Sequence, residues 1–158
     1  MNENLEKLIR PHYRELNGYT SAAMESGKDQ TKVFMNANEN PFTLPGLEGM
    51  NYYPEPQPVA LLAAFAKAYG VKPEQVFASR GSGEAIAILT RLFCDAEDAV
   101  ITCPPTFAMF KFNAQAVPSH TIEVPLIKEN GIFRLNKDEV VAKAQDPANK
   151  VKLVFLFS

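Results

Sequence analysis

From residue 58 onward the chain switches repeatedly between helical and extended hydrophobic periods, and no other feature limits its possible folds as tightly. Pro58 suits a first helical position, the run VALLAAFAKAY after it keeps helical spacing, and Gly70 supplies the stop. Residues 76–79 then read as a short strand and residues 83–93 as a largely apolar helix. Residues 99–103 form a strand stopped by Pro104 and Pro105, and residues 106–116 a helix with Phe107, Phe110 and Ala114 on one face. A strand over 120–124 follows, then a turn at Asn130 and Gly131. The next helix, 136–144, has Asn136 as its cap and Glu139 three residues on, a capping-box arrangement, and residues 152–157 read as a buried strand. Parallel strands need long crossover connections, so strands that alternate with helices predict an α/β fold with a mostly parallel sheet.

The first third has no such rhythm. Leu5, Leu8 and Ile9 give a short helix one apolar stripe, and Pro11 ends it. Residues 18–29 are polar and loop-like, residues 32–36 are a strand candidate, and residues 38–58 form a long irregular stretch. That stretch holds Pro41, Pro45, Gly46, Gly49, Pro54, Pro56 and Pro58, but also Phe42, Leu44, Tyr52 and Tyr53, which favour an ordered functional loop over disorder. At the other end, the strand 152–157 leads straight to Ser158 with no covering helix. Ligands in open α/β sheets sit outside the carboxyl ends of strands, so the chain reads as a fragment.

Charge and cysteine usage exclude several function classes. A formal net charge of -2, with acids and bases interspersed, argues against a nucleic-acid surface and against a basic membrane patch. Cys94 and Cys103 lie in apolar surroundings without a CxxC pair, and only His12 and His120 could join them, so no zinc site is expected. No local feature supports a Cys–His catalytic pair. Two reduced core thiols in a cytoplasmic protein are the expectation. The acids within MNENLEKLIRPHYREL do not suit a signal peptide, and the longest apolar runs are too short to span a bilayer.

Four segments carry chemistry. SRGSGE (79–84) joins a strand to an apolar helix, and its glycines allow close backbone approach where a helix presents unpaired N–H groups. Such a turn can cradle a phosphate, with Ser82 adding a hydroxyl, or it can be a bare Gly-rich turn. CPPTFAMF (103–110) follows a strand end, where Phe107 can stack on a flat heteroaromatic ring or join the core, whereas Phe110 reads as core. NANENP (36–41) and NYYPEPQ (51–57) are polar and aromatic loops stiffened by proline, whose Asn residues equally suit plain turns.

In order, LIRPHYRELNGYTSA, NANENP, YYPEPQ, SRGSGE and FCDAEDAVITCPPTFAMF resemble the histidinol-phosphate aminotransferases, and the likeness runs over essentially the whole chain. The resemblance implies pyridoxal 5'-phosphate (PLP) as cofactor and PLP-dependent transferase fold type I, here a truncated large domain plus N-terminal arm. It divides the chain into an arm and substrate or dimer loop, 1–57, and an incomplete PLP-binding domain, 58–158. It implies transamination between histidinol phosphate and 2-oxoglutarate in histidine biosynthesis, by a homodimer.

By the same resemblance Gly81, Ser82 and Gly83 hold the cofactor phosphate, Phe107 stacks on its ring, and Tyr53 reaches the phosphate in the neighbouring subunit. Tyr19, Asn38 and Glu39 lie on the substrate side. Gly83 departs from the family, which has Asp or Ser there, so one phosphate contact is expected to be missing. The family's cofactor-bonding lysine would lie beyond Ser158, so no catalytic residue is assigned here and the isolated chain is expected to be inactive. Aromatic aminotransferases and threonine-phosphate decarboxylases share the cradle and the ring, and these readings stay open, as does a non-enzymatic remnant.

Overall fold

The computed structural model describes residues 3–20, 35 and 37–157. These fall into two compact units, one taking in the described residues of Met1–Leu16 and Ser79–Ser158, the other those of Asn17–Ala78.

The first unit is built on a three-stranded parallel sheet of β1 (Ala99–Thr102), β2 (His120–Glu123) and β5 (Val151–Phe155), in the order β2-β1-β5. Every residue of the central strand β1 is buried, because neighbours pair with both of its edges and helices cover both of its faces. Successive side chains point to opposite faces. Val100 therefore packs with Cys94, Ala114 and Val117, while Ile101 packs with Cys103, Val124 and Val140. The first cluster is closed by α4 (Gly81–Phe93) and α5 (Met109–Ala116), the second by α6 (Lys137–Gln145). Burying a Val or Ile side chain in this way contributes roughly 1.5–3 kcal/mol.

The predicted α/β alternation is present, with shifts that have local causes. β5 is half-buried and ends at Phe155, leaving Leu156 and Phe157 exposed, because among the described residues it is a sheet edge. α5 begins at Met109, three residues later than its spacing predicts. The Pro104 carbonyl accepts the Leu126 N–H at 2.8 Å, which keeps the chain on the strand's course before the helix can start. Between β2 and α6 the chain adds a hairpin of β3 (Ile127–Glu129) and β4 (Ile132–Arg134). Asn130 and Gly131 both take positive φ, 50° and 81°, as its two-residue turn requires. Asn136 caps the helix as expected, its Oδ1 accepting the Glu139 N–H at 3.5 Å, but the capping box is not completed: Glu139 Oε2 accepts from the Asn136 side-chain Nδ2 at 2.6 Å instead of from its backbone N–H.

The N-terminal helices α1 (Glu3–Leu8) and α2 (Pro11–Arg14) dock on the end of α4 through Arg10. Its backbone N–H donates to the Leu92 carbonyl and its guanidinium to the Arg91 carbonyl, both at 3.1 Å, and it pairs with Asp95 at 3.3 Å.

The second unit holds α3 (Val59–Tyr69), closed by Gly70 in the left-handed region at φ 66°. Pro58 caps α3 from outside rather than filling its first position. Residues 37–58 contain no regular element, in line with the irregular stretch expected there. Residues 76–79 do not form a strand. A ladder needs a partner, and among the described residues none lies alongside. The Gln57 carboxamide serves instead, donating to the Ala78 carbonyl at 2.8 Å and accepting its N–H at 2.9 Å. The expected strand at 32–36 lies outside the described residues apart from Met35, which is exposed and in no element.

Both cysteines are free and buried. Burial pushes the Cys94 thiol from its ordinary 9.0 up to about 11, with the nearby Asp98 charge adding to the effect, and burial also raises Cys103. A neutral thiol held in the core contributes stability that is fully present below the unfolded pKa and is lost as pH rises through the folded one, here between 9.0 and about 11 for Cys94. Folded protein at pH 8 should therefore leave both thiols unmodified by Ellman's reagent, and denaturant should release both. Rapid reaction of either without denaturant would contradict this core.

Candidate functional site

The segment from Ser79 to Glu84 turns sharply before α4 begins. Arg80, at φ -76° and ψ 68°, is the centre of an inverse γ-turn closed by the Gly81 N–H on the Ser79 carbonyl at 2.8 Å. Gly81 follows at φ 75°, a backbone that L side chains rarely adopt, so glycine is required there. Gly83 has an ordinary φ; its value lies in open space, since an added Cβ would meet nothing within 4 Å. The Ser79 hydroxyl steadies the turn by donating to the Gly81 carbonyl at 3.0 Å.

Glu84 braces the turn from one helical turn further on. Its Oε2 accepts the Arg80 backbone N–H at 2.6 Å, and its Oε1 accepts Arg80 Nε and Nη2 at 3.0 and 2.7 Å. The Arg80 guanidinium, more than the backbone bond, holds the Glu84 carboxyl below its usual range, and Glu84 in turn raises Arg80. The N–H groups of Ser82 and Gly83 lie in the first turn of α4, where no intrahelical carbonyl can reach them, and they have no acceptor among the described residues. Where the sequence predicts a cradle, the turn offers two free donors beside an unobstructed backbone. Opposite charges spaced i,i+4 are the sequence signal for the Arg80–Glu84 pair.

Phe107 lies in the loop beyond the carboxyl end of β1, 42% exposed. Its ring meets Phe110 edge to face at 5.8 Å and 89°, which leaves it partly open for stacking. Phe110 is core, as its helical spacing suggests, with its ring stacked on Phe155 at 4.7 Å and 2°. The adjacent Thr106 Oγ1 is buried without a hydrogen-bond partner among the described residues, and nothing in the sequence singles it out.

In the second unit, Asn38, Glu39, Tyr52 and Tyr53 line one open depression of about 310 Å³. Glu39 Oε1 accepts the Tyr53 N–H at 2.8 Å, and Asn51 Nδ2 donates to the Asn40 carbonyl at 2.9 Å, so the two Pro-stiffened segments are laced together. Asn38 takes a left-handed backbone at φ 50°, which Asn tolerates better than most residues. Tyr53 remains 74% exposed. Tyr19, 85% exposed, is not among the residues lining this depression.

The sequence profile of the family described as aminotransferase class I and II matches residues 23–158. A histidinol-phosphate aminotransferase of Vibrio vulnificus (strain CMCP6) is 39% identical over 158 residues, covering 98% of this chain and 43% of that protein. One from Stenotrophomonas maltophilia (strain R551-3) is 40% identical over 152 residues, 94% of this chain and 41% of that protein. The chain therefore spans less than half the length of these curated relatives. Among solved structures, N-succinyldiaminopimelate aminotransferase from Mycobacterium tuberculosis superposes with a TM-score of 0.52 at 27% identity, over 58% of this chain and 26% of that one. Matched over most of its length by the family profile, the chain belongs to the class I and II aminotransferases, and its parallel sheet with flanking helices is the α/β fold of PLP-dependent transferases of fold type I.

Proposed function

We propose that the protein carrying this chain is a PLP-dependent transaminase that moves an amino group between histidinol phosphate and 2-oxoglutarate in histidine biosynthesis. The observation that carries the reading is the open first turn of α4, with the free Ser82 and Gly83 donors and no side chain over either glycine. Helix N-termini favour anions, so the residues present fit the cofactor's phosphate. The half-exposed Phe107 ring fits a flat pyridine. The substrate assignment draws on the shared name of relatives 39–40% identical over nearly the whole chain.

When bound, PLP supplies the electron sink that amino-group chemistry requires. On this reading the turn at Gly81, Ser82 and Gly83 binds the phosphate and fixes the cofactor's position, while Phe107 orients its ring. Tyr19, Asn38 and Glu39 serve the substrate side, Glu39 also ordering the Tyr53 backbone. On this reading residues 1–57 supply arm and loop and residues 58–158 the cofactor-holding body. The exposed Tyr52 and Tyr53 rings support a homodimer in which Tyr53 reaches the partner's phosphate. Two buried thiols suit a cytoplasmic setting.

Three measurements on the full-length protein test this. Histidinol phosphate should exceed aromatic amino acids and threonine phosphate in kcat/KM by at least about tenfold, because a buried site built for a given polar group discriminates strongly against substrates lacking it. Preference for an aromatic amino acid would remove the substrate assignment and leave transamination standing.

Gly83→Ser should tighten PLP binding by about 0.5–1.5 kcal/mol, one added hydroxyl donor at a position without steric obstruction. Looser binding in a PLP titration would mean that this turn does not hold the phosphate.

Tyr53→Phe should keep the fold and weaken PLP retention by about 1.5–3 kcal/mol, one hydrogen bond to a charged group. Hybrids of Tyr53→Phe with Phe107→Ala subunits should contain one intact site and one doubly impaired site, giving biphasic PLP release. Verified hybrids with no phase as slow as the parent would place Tyr53 in its own subunit's site.

A further inference from the structure

Arg80 and Glu84 form an exposed i,i+4 ion pair at 2.7 Å, with side chains 91% and 27% exposed. Exposed pairs of this kind add little to helix stability, so stability alone gives a weak reason for three hydrogen bonds at this place. Their position is more telling. A helix N-terminus attracts any nearby anion, including the chain's own carboxylates. Glu84 is close enough to the turn to accept the Arg80 backbone N–H, yet both of its oxygens are engaged by Arg80. The Ser82 and Gly83 donors are left without an acceptor.

We propose that Arg80 and Glu84 are a charge-balanced brace for the phosphate turn. Glu84 fixes the turn through the Arg80 N–H, and the Arg80 guanidinium cancels the negative charge that would otherwise repel the phosphate and engages the carboxylate away from the free donors. Both are positioning residues. This inference rests on the cradle reading above, and it adds an electrostatic role that the glycines cannot fill. The carboxyl of Glu84 lies below its ordinary range, held there first by the Arg80 side chain, so the pair is fully ionised at neutral pH.

The test is equilibrium binding of PLP, and of inorganic phosphate followed by 31P NMR, to the full-length protein. Arg80→Ala exposes an unbalanced carboxylate beside the anion and should weaken both ligands about tenfold at low salt. The deficit should shrink at about 0.5 M salt, because exposed charges are screened. Glu84→Gln keeps an oxygen for the Arg80 N–H and removes the charge, so it should bind phosphate at least as tightly as the parent. Combining the two should bring affinity back to within about twofold of the parent. A merely structural brace would leave the double variant no better than Arg80→Ala, and that result overturns the proposal, as does weaker binding by Glu84→Gln or an Arg80→Ala deficit insensitive to salt. If the parent binds neither PLP nor phosphate, the cradle reading itself fails and the brace with it. Parent binding with an unaffected Arg80→Ala variant removes the brace alone.

Discussion

Burial of β1 on both faces and both edges is the constraint on which the rest of the first unit depends. Its polar backbone is satisfied by β2 on one side and β5 on the other, and Val100 and Ile101 each seed a separate apolar cluster. A strand in that position is largely apolar, as Ala99, Val100 and Ile101 are, and the helices that cover it come from both sides of the sheet. The direction of β1 then fixes where its carboxyl end emerges, and with it the loop carrying Thr106 and Phe107. The stack of Phe110 on Phe155 ties that loop's helix to the edge strand, so the half-exposed ring of Phe107 rests on a rigid base.

The turn before α4 shows a different kind of control. Only Gly81 is required by backbone conformation, whereas Gly83 matters for the space it leaves. Free N–H donors at a helix start are costly to bury but harmless in an open turn, and the Glu84 carboxylate beside this one bonds to Arg80 through both oxygens.

How much of this was legible in the sequence depended on the range of the interaction involved. The alternation of helices and strands, the Asn136 cap, the Asn130–Gly131 turn and the core role of Phe110 are set by hydrophobic period and by residue chemistry within one turn of chain. Segment 76–79 carries strand composition, but a strand exists only where a neighbour completes its hydrogen bonds, and Gln57 took that place. The later start of α5 likewise follows from a bond between Pro104 and Leu126, far apart in sequence.

The candidate site divides along the same line. Sequence by itself determined the Gly-rich turn, the aromatic after a strand end and the two Pro-stiffened loops, because these need only particular residues in a particular local order. Tertiary structure decided which side chains meet. It joined Glu39 to the Tyr53 backbone across 14 residues, left Tyr19 apart from that depression, buried Thr106 Oγ1 without a partner among the described residues and kept Phe107 partly open while closing Phe110. Periodicity records which residues avoid water. Which of them touch is fixed only when the chain has packed, since contacts between distant segments depend on every element that lies between them.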